Sequence, residues 1–201
     1  MPLRNRVTPF GTIEELPGRG TMMGNRGVLH NDRRELVRGW DVRRWITCVL
    51  RFRGRHREVM QPNRYTELFF LDEAAAFAAG HRPCAECRNA DFKRFIGLWR
   101  ELHDPSANAE RMDARLHEAR LKGPMQRTYR ADVNTLPDGT FVRIETDAWL
   151  LYHGALHRWS DRGYGERRSR EGLKTLEVLT PRPIVEMFAA GYVPMVHITA
   201  E

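Results

Sequence analysis

The chain has 201 residues, 41% apolar and 29% charged, with a net charge of +7 and a pI near 9.8. That length suits one domain or a core with a small appended part. No apolar run is long enough for a membrane helix, Met1-Pro-Leu-Arg-Asn-Arg6 has no apolar signal segment, and three cysteines make a disulfide framework a poor expectation.

The first 27 residues hold Pro9, Gly11, Pro17, Gly18, Gly20, Gly24 and Gly27, which predicts an irregular basic arm. Val28–His30 and Trp45–Phe52 read as strands, the second β-rich and apolar enough to be well buried. Tyr65–Leu71 is a further strand. Asp72 stands at an N-cap position before Glu73–Ala79, an alanine-rich helix stopped by Gly80. Helical spacing then runs from Ala90 to His103 and from Ala109 to Leu121. After Leu136-Pro-Asp-Gly139, alternation at Thr140–Ile144, Ala148–His153 and Ala155–Trp159 predicts a small antiparallel sheet. Asp161–Gly172 reads as a polar Arg- and Gly-rich loop, Leu176–Leu179 as a strand, Pro183–Ala190 as a helix and Val193–Ile198 as a last strand. The expected architecture is α+β: an arm over residues 1–27, a zinc-binding α+β part over 28–130 and a β-rich part over 131–201, the last two packed as one unit.

Cys84 and Cys87 form a C-x-x-C pair, whose short loop aims two thiolates at one point. Metal binding and redox exchange are the two readings of such a pair. A redox pair normally follows a strand and opens a helix; this one follows a helix and the turn Gly80-His-Arg-Pro83, which favours metal. The stretch Phe70-Leu-Asp-Glu-Ala-Ala-Ala-Phe-Ala-Ala-Gly-His-Arg-Pro-Cys-Ala-Glu-Cys-Arg88 resembles the second half of the zinc-binding domain of the Ada DNA-repair proteins. The resemblance implies a strand, a helix and a structural zinc, one per chain. It departs from the Ada pattern upstream, where a second cysteine pair is replaced by Cys48 alone. Cys48 is therefore expected as the third ligand. His30 is the first choice for the fourth, His56 the second and His81 the third. Losing the second pair also removes the reason to carry over Ada methyl transfer.

Chemistry on DNA calls for a carboxylate or amide beside basic groups. Glu67, in Thr66-Glu-Leu-Phe-Phe70, is an acid among large apolar residues, costly unless paired or used. Asn25 and Arg26, flanked by Gly24 and Gly27, suit a loop in which Asn25 positions water and Arg26 holds a phosphate. Arg82 and Arg88 beside the cysteines are further DNA-binding candidates. So are Tyr164, Arg167 and Arg168, an aromatic amid arginines and glycines. Nearly all the positive charge is arginine, with only three lysines, and arginine forks match phosphate. The expected function is a cytoplasmic DNA-binding zinc protein, nucleoid-associated if bacterial, that acts on damaged or modified DNA. Excision of a flipped base by a DNA glycosylase leads the readings; a zinc-stabilised nuclease and a non-enzymatic DNA-binding module are the alternatives.

Overall fold

The computed structural model describes residues 2–54 and 58–200. In chain order it runs β1 (Arg4–Val7), β2 (Ile13–Glu15), β3 (Met22–Asn25), β4 (Ile46–Cys48), β5 (Leu68–Phe70), α1 (Glu73–Ala78), β6 (Arg82–Pro83), α2 (Asn89–Leu102) and α3 (Ala109–Arg120). A hairpin of β7 (Leu121–Lys122) and β8 (Met125–Gln126) leads to β9 (Tyr129–Asp132), β10 (Phe141–Ile144), β11 (Asp147–Tyr152), β12 (Ala155–Ser160), β13 (Gly163–Ser169), β14 (Thr175–Val178) and α4 (Arg182–Ala189). The chain is thus mixed α+β. Among the described residues no helix is long and apolar enough to cross a membrane.

Six strands form the first sheet in the order β2-β1-β5-β3-β4-β6, and six form the second in the order β13-β12-β11-β10-β14-β9. Between them lies α1, all six of whose residues are buried. Ala76 and Ala79 pack on Met22, Leu68 and Phe70 of the first sheet. Ala74, Ala75 and Ala78 pack on Phe141, Leu150 and Tyr164 of the second. Phe77 enters a third cluster with Phe95, Trp99, Leu116 and Phe188 from the other helices. The short alanine side chains let both sheets come close to the helix axis, so the alanine run reflects close packing as well as helix propensity.

The helix ends are fixed by their expected residues. Asp72 Oδ1 accepts from the Ala75 N–H at 2.8 Å, the N-cap bond. Gly80 has φ +80°, and the N–H groups of Gly80 and His81 return to the carbonyls of Phe77 and Ala76, closing the C-terminus in a left-handed turn.

Residues 1–27 are not an irregular arm. They supply β1, β2 and β3, and β3 lies inside the first sheet between β5 and β4. Two of the glycines that suggested a broken segment are there for close approach. A Cβ on Gly24 would lie 2.1 Å from the Ile46 carbonyl oxygen, and one on Gly20 2.4 Å from that of Phe70. The predicted loop at 161–172 contains the edge strand β13, paired along β12 from Ala155↔Ser169 to Ser160↔Gly163. The predicted last strand, Val193–Ile198, does not join a sheet. Its Met195 and His197 N–H groups donate instead to the carboxylates of Glu73 and Asp72.

Asp72 Oδ2 accepts from the Tyr164 hydroxyl at 2.7 Å and from the His197 N–H at 2.9 Å, so one carboxylate joins α1, β13 and the C-terminal segment. Replacing it by alanine removes the cap and strands a buried phenol. Asp72→Ala is expected to lower stability by about 3 kcal/mol, read as a lower urea midpoint at an unchanged slope.

Candidate metal centre and adjoining cavity

The three cysteines come together because β4 and β6 run parallel, with Ile46 beside Arg82 and Thr47 beside Pro83. The next step of that register brings Cys84 to Cys48, held by the Cys84 N–H on the Thr47 carbonyl at 2.9 Å. The turn after β6 then returns Cys87, with the Arg88 N–H on the Cys84 carbonyl at 3.1 Å. The thiol sulfurs of Cys48, Cys84 and Cys87 all lie within 4.8 Å of one another. Zinc with bonds of about 2.3 Å to thiolates would want them roughly 3.8 Å apart, so small side-chain movements suffice.

Cys48 sits against the other two sulfurs. Its hydrogen bonds to the other two sulfurs raise its own pKa. They lower that of Cys84 to about 5, helped by backbone N–H groups of the turn and opposed by burial. Cys87 is lowered for the same first reason. The Glu86 N–H also points at the Cys84 sulfur, 3.4 Å away. Thiols of this kind are predisposed to release protons to a soft or borderline cation, and the three cysteines can hold a metal ion.

His30 does not join them, which corrects the expected fourth ligand. One ring nitrogen is 2.6 Å from Thr66 Oγ1 and the other 3.1 Å from the Gln61 carbonyl, so the ring is pinned to the loop before β5. Its segment makes only an isolated bridge, His30 to Leu36, and does not pair with β4. His81 is also turned away. It packs edge-on to Phe70 and against Trp45, accepts from Arg26 Nε at 3.2 Å, and is held neutral by burial and by Arg26 and Arg120. His56 lies outside the described residues.

Alternation along the strands gives the first sheet two different faces. Met22, Leu68 and Phe70 turn towards α1. Their neighbours Met23, Asn25, Ile46, Cys48, Glu67 and Phe69 turn the other way and line a cavity of about 700 Å³. The ladder sets Met23 opposite both Cys48 and Phe69. Two residues further along the same register, Glu67 follows beside Asn25. Phe52, Val59 and Tyr65 complete the walls, and Cys84 and Cys87 lie with Cys48 at one end. The two expected catalytic residues and the three cysteines therefore share one cavity. Glu67 is 5% exposed, and one of its carboxylate oxygens accepts from the Met60 N–H at 2.8 Å. The Asn25 Oδ1 accepts from the Gly27 N–H at 3.4 Å.

Arg26 is not part of this cavity, although it is the next residue after Asn25. Its side chain lies on the far side of the sheet, 3% exposed, with its guanidinium 3.9 Å from the Trp45 ring centre and Nη1 donating to the Gly11 carbonyl. Burial lowers its pKa to about 9. Arg120 packs on the same indole at 3.8 Å.

Arg82 and Arg88 are corrected as DNA contacts. Arg82 is buried and donates in a fork to both oxygens of Asp113, at 2.9 and 2.7 Å. Arg88 is buried and pairs with Glu73 at 2.6 Å and Asp91 at 2.8 Å, and donates to Thr47. Their donors are engaged inside the protein. Tyr164 sits within β13, buried on Asp72, not on a mobile loop. Arg167 and Arg168 are exposed on that edge strand, Arg168 over Trp149. The residues overlooked in the sequence are Arg44, Phe52 and Tyr65, all on the cavity wall. Their signal was present as basic and aromatic residues interleaved in Arg43-Arg44-Trp45, Arg51-Phe52-Arg53 and Arg64-Tyr65.

The chain matches no protein-family model, no curated protein and no solved structure.

Metal analysis of the purified protein is expected to give one equivalent per chain. Cys48→Ser, Cys84→Ser and Cys87→Ser should each lower occupancy, whereas His30→Ala should keep it in the folded fraction. A protein with no bound metal, or one that loses it with His30, contradicts the assignment.

Proposed function

We propose that this chain is a zinc-binding, DNA-acting protein and that the cavity on the first sheet receives a base extruded from the duplex, as a DNA glycosylase. One observation carries the reading: a buried carboxylate and a buried amide, Glu67 and Asn25, share a cavity of about 700 Å³ with aromatic residues and a three-cysteine cluster. Ligand pockets commonly run from about 300 to 1,000 Å³, with apolar walls and a few placed polar groups. Enzymes that act on flipped bases read them by stacking and by hydrogen bonds to the base edge. Phe52, Tyr65 and Phe69 offer the stacking surfaces. Exposed Arg44 lies on the wall, and exposed Arg51, Arg53 and Arg64 adjoin wall residues in the chain, which suits a phosphate-facing rim. The net charge of +7 favours a polyanion as partner.

The resemblance of Phe70–Arg88 to the Ada zinc-binding domain supports zinc as the metal and DNA as the partner. Three thiolates are the donor set that selects zinc over harder cations. In this reading zinc joins β4 to the turn after β6 and so fixes the metal end of the cavity. Excision is hydrolysis. Asn25 orients a water and Glu67 takes its proton as the oxygen attacks the sugar carbon. The bond from that carbon to the base nitrogen breaks, and the base leaves with a proton.

The test is incubation with duplexes carrying varied modified bases, with and without EDTA. Alkali-labile abasic sites formed without added divalent ion are expected. Glu67→Gln should slow their formation by about 100-fold or more while DNA binding persists. Direct strand cuts that need magnesium would replace this reading by a nuclease. Salt-sensitive binding without any product would leave a non-enzymatic module.

A further inference from the structure

We infer that the metal at Cys48, Cys84 and Cys87 keeps one coordination position open to the cavity, filled by water until a neutral, nitrogen-bearing heteroaromatic ligand displaces it. This deepens the proposed function, since it rests on the metal and on the cavity as a ligand site, and it gives the metal a role in recognition as well as in architecture.

The donor count comes first. Structural zinc sites are closed by four protein ligands, whereas sites with three keep the fourth position for water or substrate. Among the described residues, the group that can hold a metal comprises three cysteines and no fourth histidine, cysteine or carboxylate. The residues best placed in the sequence to supply one are held elsewhere, His30 on Thr66 and Gln61, and His81 on Arg26.

The surroundings come second. All three cysteines line the cavity, so there is space for a ligand on that side of the sulfur triangle. Ile46, Leu50 and Phe69 make the adjoining wall apolar, which suits a flat ring. Asn25 lies on β3, the strand beside Cys48, two residues along from Met23, and Glu67 lies one strand further across, about 10 Å from β4 by strand spacing. A ring bound to the metal at one end can thus present a hydrogen-bonding edge towards the other.

Charge selects the donor. Three thiolates around a divalent ion leave a net charge of minus one, in a wall that is largely apolar. A neutral ring nitrogen adds no further charge to be desolvated there, whereas an anionic donor does. The exchange is a ligand substitution: the nitrogen lone pair replaces the oxygen lone pair of water, water leaves, and no electron or proton is transferred. A nucleobase ring nitrogen fits this chemistry, as does a free imidazole or purine.

Cobalt(II) substitution of the full chain provides the test, because its visible ligand-field bands report coordination directly. Cobalt is expected to bind with thiolate charge-transfer absorption, and titration with imidazole or adenine should shift the ligand-field bands saturably. The shift should be lost in Met23→Trp and in Ile46→Trp, either of which fills the cavity beside Cys48, while the charge-transfer band remains. His56→Ala should leave the starting spectrum unchanged. A spectrum unmoved by both probes, or one altered by His56→Ala, overturns the open position and leaves the metal site intact. A folded protein that takes up neither cobalt nor zinc overturns the metal assignment itself, and this inference with it.

Discussion

Two adjacent buried carboxylates, Asp72 and Glu73, hold the fold together at the start of its central helix. Asp72 caps α1 and receives Tyr164 and the His197 N–H. Glu73 receives Arg88, and its Oε2 accepts from the Met195 N–H at 2.9 Å. Their partners come from β13, from the C-terminal segment and from the residue after the C-x-x-C turn. None is close in sequence, yet all must be in place before these acids can be buried without severe penalty. The helix dipole favours negative charge at this end, and the alanines that follow admit both sheets. Packing and polar satisfaction therefore demand the same arrangement, the consistency between levels that makes one fold preferred.

That arrangement accounts for the site. With one face of the first sheet closed against α1, the other is left to form a cavity. A one-residue slip of β3 would exchange the two faces, sending Met23 and Asn25 into the core and Met22 into the cavity. Gly24 makes such a slip costly, because only a residue without a Cβ fits against the Ile46 carbonyl. The same strand thus positions Asn25 through Gly24, and β6 positions Cys84 through its parallel contact with β4. Arg88, directly after the second cysteine of the pair, ties the turn to Glu73, so the cysteine cluster is anchored to the helix that organises the core.

Local signals were legible in the sequence, and long-range ones were not. The C-x-x-C pair, the capped alanine helix, α2, α3 and the hairpins from β10 to β12 all follow from patterns within a few residues. The strands in the first 25 residues were hidden because Gly20 and Gly24 look like breakers, whereas each answers to a backbone brought near by folding. β13 was hidden by its exposed arginines, which fit an edge strand as well as they fit a loop. Glu67 and Asn25 stood out as polar residues amid apolar or glycine-rich sequence, and their register brings them together. His30 did not hold as a ligand because its partners, Thr66 and Gln61, lie more than thirty positions away.

The arginine content has the same double origin. Arg82 and Arg88 are matched by acids within the protein, and Arg26 and Arg120 lie against one indole with backbone carbonyls as acceptors. A guanidinium suits those places: it is flat, offers five donors and sheds water more readily than an ammonium. Part of the preference for arginine over lysine is therefore architectural and says nothing about a partner. What bears on a polyanion is the exposed remainder, above all Arg44, Arg51, Arg53 and Arg64 around the cavity, with Arg167 and Arg168 on β13. Because Arg44 lines the cavity itself, exposed positive charge and the polar and aromatic groups of the cavity belong to one surface. It is this proximity, more than the total charge, that connects the basic composition with Glu67 and the cysteines.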